Sequence, residues 1–174
     1  GRGAPGATLL GTLDATCTPM GARKLRDWIL RPLIEIDAIR KRLDAVETLV
    51  SDRTLLRELR DVFSDIRDLE RLVARLGTGG NARDMRGLGQ SLSALPRVKN
   101  LLAGCANPLL RELSDQVSPL PDLAALIERA IVDEPPIPVK EGGIIRRGYH
   151  AELDELRVLA AQGRTWLAEY QASE

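Results

Sequence analysis

Apolar residues recur along most of the chain at intervals of three and four, the spacing that lines one face of an α-helix. The first clear run opens at Thr18-Pro19. The threonine hydroxyl can accept from an exposed backbone N–H at a helix start, and proline suits the first helical position, where no N–H is needed. Ala22, Leu25, Trp28 and Ile29 then share a face, Arg23, Lys24, Arg26 and Asp27 lie largely outside it, and Pro32 ends the run. A second helix is expected from a cap at Asp37, with Ile39, Leu43, Val46 and Val50 recurring at intervals of four, three and four and a break at Ser51-Asp52. Leu55, Leu56, Leu59 and Val62 predict a third. A fourth, started by Ser64-Asp65, carries Leu69, Leu72, Val73 and Leu76, with Gly77 as its stop. After the loop Thr78-Gly79-Gly80-Asn81, a fifth carries Met85, Leu88, Leu92 and Leu95, and Pro96 permits a fresh start for Val98, Leu101 and Leu102 up to Gly104. Asn107-Pro108 repeats the cap-then-proline signal ahead of Leu109, Leu110, Leu113 and Val117. Pro119 and Pro121 bracket the turn into a helix with Leu123, Leu126, Ile127 and Ile131.

The texture changes at Pro135. Pro135, Pro136 and Pro138 forbid regular helix, and Ile137, Val139, Ile144 and Ile145 flank Lys140-Glu141-Gly142-Gly143, which reads as a small hairpin or extended connector over 135–148. As the one non-helical insertion, it is expected to fix how the final helix sits on the bundle. In that helix, over 149–174, Tyr149, Leu153, Leu156, Ala160, Gly163, Leu167 and Tyr170 alternate steps of four and three, a heptad seam suited to lengthwise packing against a partner helix. At ~1.5 Å per residue it would extend on the order of 35 Å. Neither glycine nor proline follows to stop it, so it reads as the start of a longer helix. The expected fold is therefore all-α: a bundle of short amphipathic helices, a small connector, and a long C-terminal helix. No consensus recurs at a fixed period, which disfavours a solenoid.

Composition narrows this further. The 174 residues fit one domain over 9–174, preceded by a Gly- and Ala-rich stretch at 1–8 that reads as a flexible leader or junction. Hydrophobic residues make up 44% but aromatics only 3%, so the interior must be built mainly from Leu, Ile, Val and Ala. Lys plus Arg number 25 and Asp plus Glu 25, leaving no global field to hold a phosphate backbone. Cys17 and Cys105 have no close spacing, which argues against a disulfide framework and fits a reducing cytoplasm. No apolar run approaches a membrane span.

Candidate chemistry is sparse. Gly1, Gly3 and Gly6 match a dinucleotide fingerprint, and Gly1, Gly6 and Thr8 nearly match a phosphate loop with Ala7 in place of its lysine; neither has the preceding strand such motifs need. His150 is the only histidine and reads as a surface or capping residue. A pairing of Cys17 with His150 lacks a third orienting group. Asp65, Asp68 and Glu70, and Glu152, Asp154 and Glu155, have no calcium-loop spacing. Asp133-Glu134 is expected to end the preceding helix and engage neighbouring N–H groups. The basic groups Arg23-Lys24-Arg26, Arg40-Lys41-Arg42 and Arg146-Arg147 read as solvated helix faces, and no aromatic platform for unpaired bases is present. No catalytic, cofactor-binding or metal-ligating residue is assigned.

Thr18-Pro19-Met20-Gly21 followed by Arg23, Leu25, Trp28 and Pro32-Leu33 resembles the start of the core (lever) domain of the MutS family of DNA mismatch-repair ATPases. Ile131-Val132-Asp133-Glu134-Pro135-Pro136 and Gly142-Gly143-Ile144-Ile145-Arg146-Arg147-Gly148-Tyr149 resemble the segment that leads that family's chain into its lever helix. The resemblance runs from about Leu9 to the chain end. It implies a mechanical connector, with no catalysis of its own, between the ATPase and DNA-clamp parts of a cytoplasmic protein. That whole protein would bind mismatched double-stranded DNA as a homodimer, use ATP and Mg, and recruit MutL. The mismatch wedge, phosphate loop and clamp lie outside this stretch by resemblance, so none of their residues is carried over. The competing reading is a free-standing helical interaction or scaffold module that dimerises through the heptad face; an enzyme built on His150 is a third.

Overall fold

The computed structural model describes residues 8–172, apart from the side chains of 164, 165 and 167–172. Short-range capping bonds set most helix starts. Thr8 accepts from Gly11 N at 3.0 Å and opens α1 (Leu9–Leu13), a short helix the apolar pattern does not reveal; positions 1–7 of the expected leader lie outside the described residues. Thr18 accepts from Gly21 N at 3.0 Å and opens α2 (Pro19–Leu30), as its sequence predicts. α3 (Ile36–Ser51) starts after Glu35 with no side-chain cap, so Asp37 lies one step inside the first turn, where its charge still complements the helix dipole. Asp52 ends α3 and accepts from Leu55 N at 2.9 Å to open α4 (Arg53–Ser64).

The next start differs from its prediction. Asp68 caps α5 (Leu69–Gly77), accepting from Arg71 N at 3.3 Å. Ser64 is already committed, donating its hydroxyl to Asp61 O, and Ile66 is drawn into the core between the two helices. The turn after α5 is made by Gly79 at φ 101° rather than by Gly77, with Gly80 N donating to Arg75 O at 2.8 Å. Asn81 and Asp84 form a reciprocal capping box at the start of α6 (Ala82–Ala103), which runs unbroken through Pro96. Proline costs the helix one backbone donor there, but Leu92, Val98 and Leu102 are buried on either side of it, and that packing outweighs the lost bond. α7 (Pro108–Gln116) is capped by Asn107, and α8 (Pro121–Ala130) starts on its proline.

α6 is the spine, packed by α4, α5, α7 and α8, while α3 packs on α4 and α7. The core gathers Ala45, Leu59, Val62, Ile66, Val98, Leu102, Cys105 and Leu110, with Met20 of α2 and Phe63 against it. Two buried serines knit the spine to its neighbours. Ser91 Oγ donates to Gly87 O at 2.8 Å and accepts from Arg67 N at 3.0 Å, and Ser114 Oγ donates to Lys99 O at 2.8 Å. Gly89 lets α8 approach closely: a Cβ there would lie 2.7 Å from Ile127 Cγ2.

Of the two forms expected for the connector, a small hairpin or an extended link, it takes the second, with no ladder formed by Ile137, Val139, Ile144 and Ile145. The single antiparallel bridge joins Ile131 to Ile145, with Val132 N donating to Ile144 O at 3.0 Å and Arg146 N to Ala130 O at 2.8 Å. The prolines between lack the N–H groups a ladder needs, so Val139–Glu141 coil into one 3-10 turn, and Gly142 and Gly143 at φ 67° and 70° bring the chain back. The last helix, α9 (Ala151–Ala172), follows; no other strand is found among the described residues.

Candidate coupling site at the root of the last helix

The segment between α8 and α9 is held by the Ile131–Ile145 bridge and by a set of arginine side chains. Arg146, one residue past the Ile131–Ile145 bridge, donates from Nε to Glu128 O at 3.2 Å and from Nη2 to Ile131 O at 3.1 Å, filling acceptors at the end of α8. The same guanidinium takes both oxygens of Asp133, at 3.0 Å from Nη2 and 3.3 Å from Nη1. Arg86, one helix away on α6, reaches Asp133 Oδ1 from the other side at 2.6 Å, and Arg83 Nε donates to Pro135 O at 2.9 Å. Asp133 is thus the carboxylate that joins spine, connector and the end of α8. Its hydrogen bonds from Arg146 hold its carboxyl below the usual value, and reciprocally raise Arg146.

A second set fastens α9 to the connector. Arg157 donates to Ile145 O at 2.8 Å and to Asp154 Oδ1 at 2.9 Å, while Asp154 Oδ2 accepts from Gly148 N at 2.6 Å. That backbone N–H, more than Arg157, keeps the Asp154 carboxyl below its ordinary pKa. His150 accepts from Leu153 N through Nδ1 at 3.3 Å, which makes it a cap of α9, as the sequence indicates. Beyond this fastening the seam is uncovered by the described residues. Leu156 is 56% exposed, Ala160 and Gly163 are exposed, and a Cβ at Gly163 would meet nothing within 4 Å. The seam side chains of Leu167 and Tyr170 lie outside the described residues.

The other groups singled out by sequence go to structural work. Arg23 pairs with Asp68 at 2.7 Å and with Glu70, tying α2 to α5, and its hydrogen bond holds the Asp68 carboxyl down at about 2. Arg42 lies 3.8 Å from the Trp28 ring centroid, with Lys24 at 6.0 Å, so Trp28 joins α2 to α3 through cation–π contact. Cys105 packs in the core, and burial pushes its thiol up; Cys17 is half-buried. Asp133 departs from its expected part: it engages two arginine side chains rather than neighbouring N–H groups. Among the described residues no three His, Cys, Asp or Glu side chains stand together to hold a metal, and no helix is long and apolar enough to cross a membrane. Arg86 and Arg157 give no sign in the sequence of what they do, because each is one arginine among many on an amphipathic helix.

The sequence profile of MutS domain III matches residues 1–172. Among curated relatives, the chain is 48% identical over 168 residues to the DNA mismatch repair protein MutS of Myxococcus xanthus, covering 96% of this chain and 19% of that protein. It is 47% identical over 172 residues to the MutS of Methanosarcina barkeri and 45% identical over 168 residues to that of Halothermothrix orenii, again covering 96% of this chain and 19% of each relative. The chain therefore spans about a fifth of the length of the relatives it matches.

Proposed function

This chain belongs to the MutS family, as its domain III, and on that premise we propose that it is the lever of a cytoplasmic DNA mismatch-repair protein. The whole protein would bind mismatched double-stranded DNA as a homodimer, hydrolyse ATP with Mg at a site outside these residues, and recruit MutL. This domain's share is mechanical. A rotation of the bundle is passed to α9 and becomes displacement at its far end.

The observation that carries this reading is the contrast along α9. Its root is bound to the connector by Arg157 and Asp154, and the connector to α6 and α8 by Arg86, Arg146 and Asp133, whereas its apolar seam is left open to take a partner helix. A stiff helix fixed at its root carries a rotation of the bundle to its far end, and an uncovered seam leaves that far part free to engage a partner helix. A free-standing scaffold reading is less favoured, since the relatives carry this stretch as about a fifth of a longer protein.

The experiment is Gly163→Leu in the full-length protein. A bulky side chain in the seam is expected to hinder the partner helix and uncouple ATP binding from formation of a clamp that slides on mismatched DNA, with nucleotide affinity retained. Sliding-clamp kinetics equal to those of the unaltered protein would remove the seam from the mechanism.

A further inference from the structure

Arg83, Arg86, Gln90, Ser93 and Arg97 follow one another on α6 at intervals of three, four, three and four, so they form one stripe along the spine, and it contains no carboxylate. A cleft of about 610 Å³ lies over this stripe against the α4–α5 turn, which contributes Ser64 and Arg67. A second of about 420 Å³ lies nearer the connector, and Arg67, Arg86 and Gln90 line both. In the larger cleft Arg67, Arg86 and Arg97 stand with Asp65 and Glu128, which leaves one guanidinium's charge without a carboxylate to offset it.

Two details make the place more than a basic surface. Gly87 leaves room for Arg67: a Cβ there would lie 3.0 Å from Arg67 Cδ and 3.2 Å from its Nη1, so a side chain at this position would crowd that arginine. Arg86 is only 14% exposed and gives Nη2 to Asp133, yet its Nε is buried without a hydrogen-bond partner. A buried donor without an acceptor is costly, and a charged oxyanion is the strongest acceptor it could take.

We propose that this cleft binds a compact oxyanion, a phosphate group or a carboxylate, between Arg67, Arg86 and Arg97. The size of the anion follows from the lining. Asp65 and Glu128 line the larger cleft with three arginines, and Asp133 and Glu134 the smaller with three, so each holds an excess of one positive charge, which suits a single small anion rather than a long polyphosphate strand. The site shares Arg86 with the fastening of the connector but is otherwise separate from it. Arg67 and Arg97 take no part in fastening α9, and binding there is measurable whatever α9 does.

The test is arginine-selective labelling with phenylglyoxal, read site by site by peptide mass spectrometry on the full-length protein. Inorganic phosphate, acetate and a matched DNA duplex are compared with sodium chloride at equal ionic strength. Phosphate is expected to slow labelling of Arg67 and Arg97 by about five-fold at saturation, while the exposed Arg26 of α2 and Arg40 of α3 are unaffected. Arg97→Gln should raise the phosphate concentration that half-protects Arg67 by about ten-fold, the loss of one charged hydrogen-bonding partner. Acetate acting at lower concentration than phosphate would identify the occupant as a carboxylate. Equal protection at Arg26 and Arg40, an unchanged midpoint in Arg97→Gln, or protection by the duplex alone would each overturn the proposal.

Discussion

Asp133 and Asp68 do similar chemistry at different places, and pH separates them from the bulk of the carboxylates. Asp68 is held at about 2 by its hydrogen bonds from Arg23. A carboxylate whose pKa is lower folded than unfolded adds stability above its unfolded value, near 4, and loses it as pH falls through the folded value. The tie between α2 and α5 is therefore expected to be complete at neutral pH and to weaken between about pH 4 and pH 2. In Asp68→Asn, acid denaturation followed by circular dichroism should show a shallower fall across that window than the parent chain. At Asp133 the partners are Arg86 and Arg146, and Asp133→Asn leaves both guanidiniums with a weaker acceptor. Amide hydrogen exchange at Val132 and Arg146, whose N–H groups flank the Ile131–Ile145 bridge, is expected to quicken, with exchange in α4 unchanged.

At the level of elements, α6 carries the bundle and α9 does not belong to its core. Leu59 of α4 is 4% exposed and sits in the apolar cluster with Val98 and Leu102 of α6. Leu59→Ala should cost about 2–5 kcal/mol in urea denaturation, the range for a leucine removed from a packed interior. Leu156 on α9 is 56% exposed, and Leu156→Ala should change the stability of the 174-residue chain by no more than about 0.5 kcal/mol. If the two cost the same, α9 would be packed into the bundle rather than fastened at its root. Between α6 and α8 the limiting contact is Gly89 against Ile127. Gly89→Ala puts a methyl group 2.7 Å from Ile127 Cγ2, and about 1–3 kcal/mol of overpacking strain is the expected result. The double variant with Ile127→Val, which trims that side chain, should recover part of the loss in the same denaturation measurement.

Over the whole molecule, the arrangement divides rigidity from exposure. The bundle closes its core around α6 with Leu59, Val62, Val98, Leu102 and Leu110, leaves Leu43, Val46, Val50 and Val73 exposed, and sets arginines on bonds between elements: Arg23 to α5, Arg75 to Asp84 across the α5–α6 loop, Arg146 to the end of α8, and Arg157 to the connector. The consequence is a set of elements tied to one another by ion pairs and hydrogen bonds, with α9 fastened at its root. In the full-length protein, Asp133→Asn is accordingly expected to leave ATP binding intact and slow clamp formation on mismatched DNA, in the same direction as Gly163→Leu but through the root rather than the seam.

The helical class, nearly every helix and the caps at Thr18 and Asn107 were legible in the chain alone. A cap is a bond between residues three apart, and an amphipathic face repeats within a few turns, so both are written in a short window. The family resemblance at Thr18–Pro32 and 131–149 was legible in the same local way, and pointed to the right family. What the window could not hold is what tertiary packing decides. Pro96 lies inside one helix because the core pays its lost bond, and the prolines of the connector shift the bridge out to Ile131 and Ile145. Arg86 meets Asp133 across 47 positions of sequence, and Arg23 meets Asp68 across 45. No spacing rule ties residues so far apart. Their meeting depends on which faces α6 and α8, or α2 and α5, bury against each other, and that is settled only when the whole apolar interior closes.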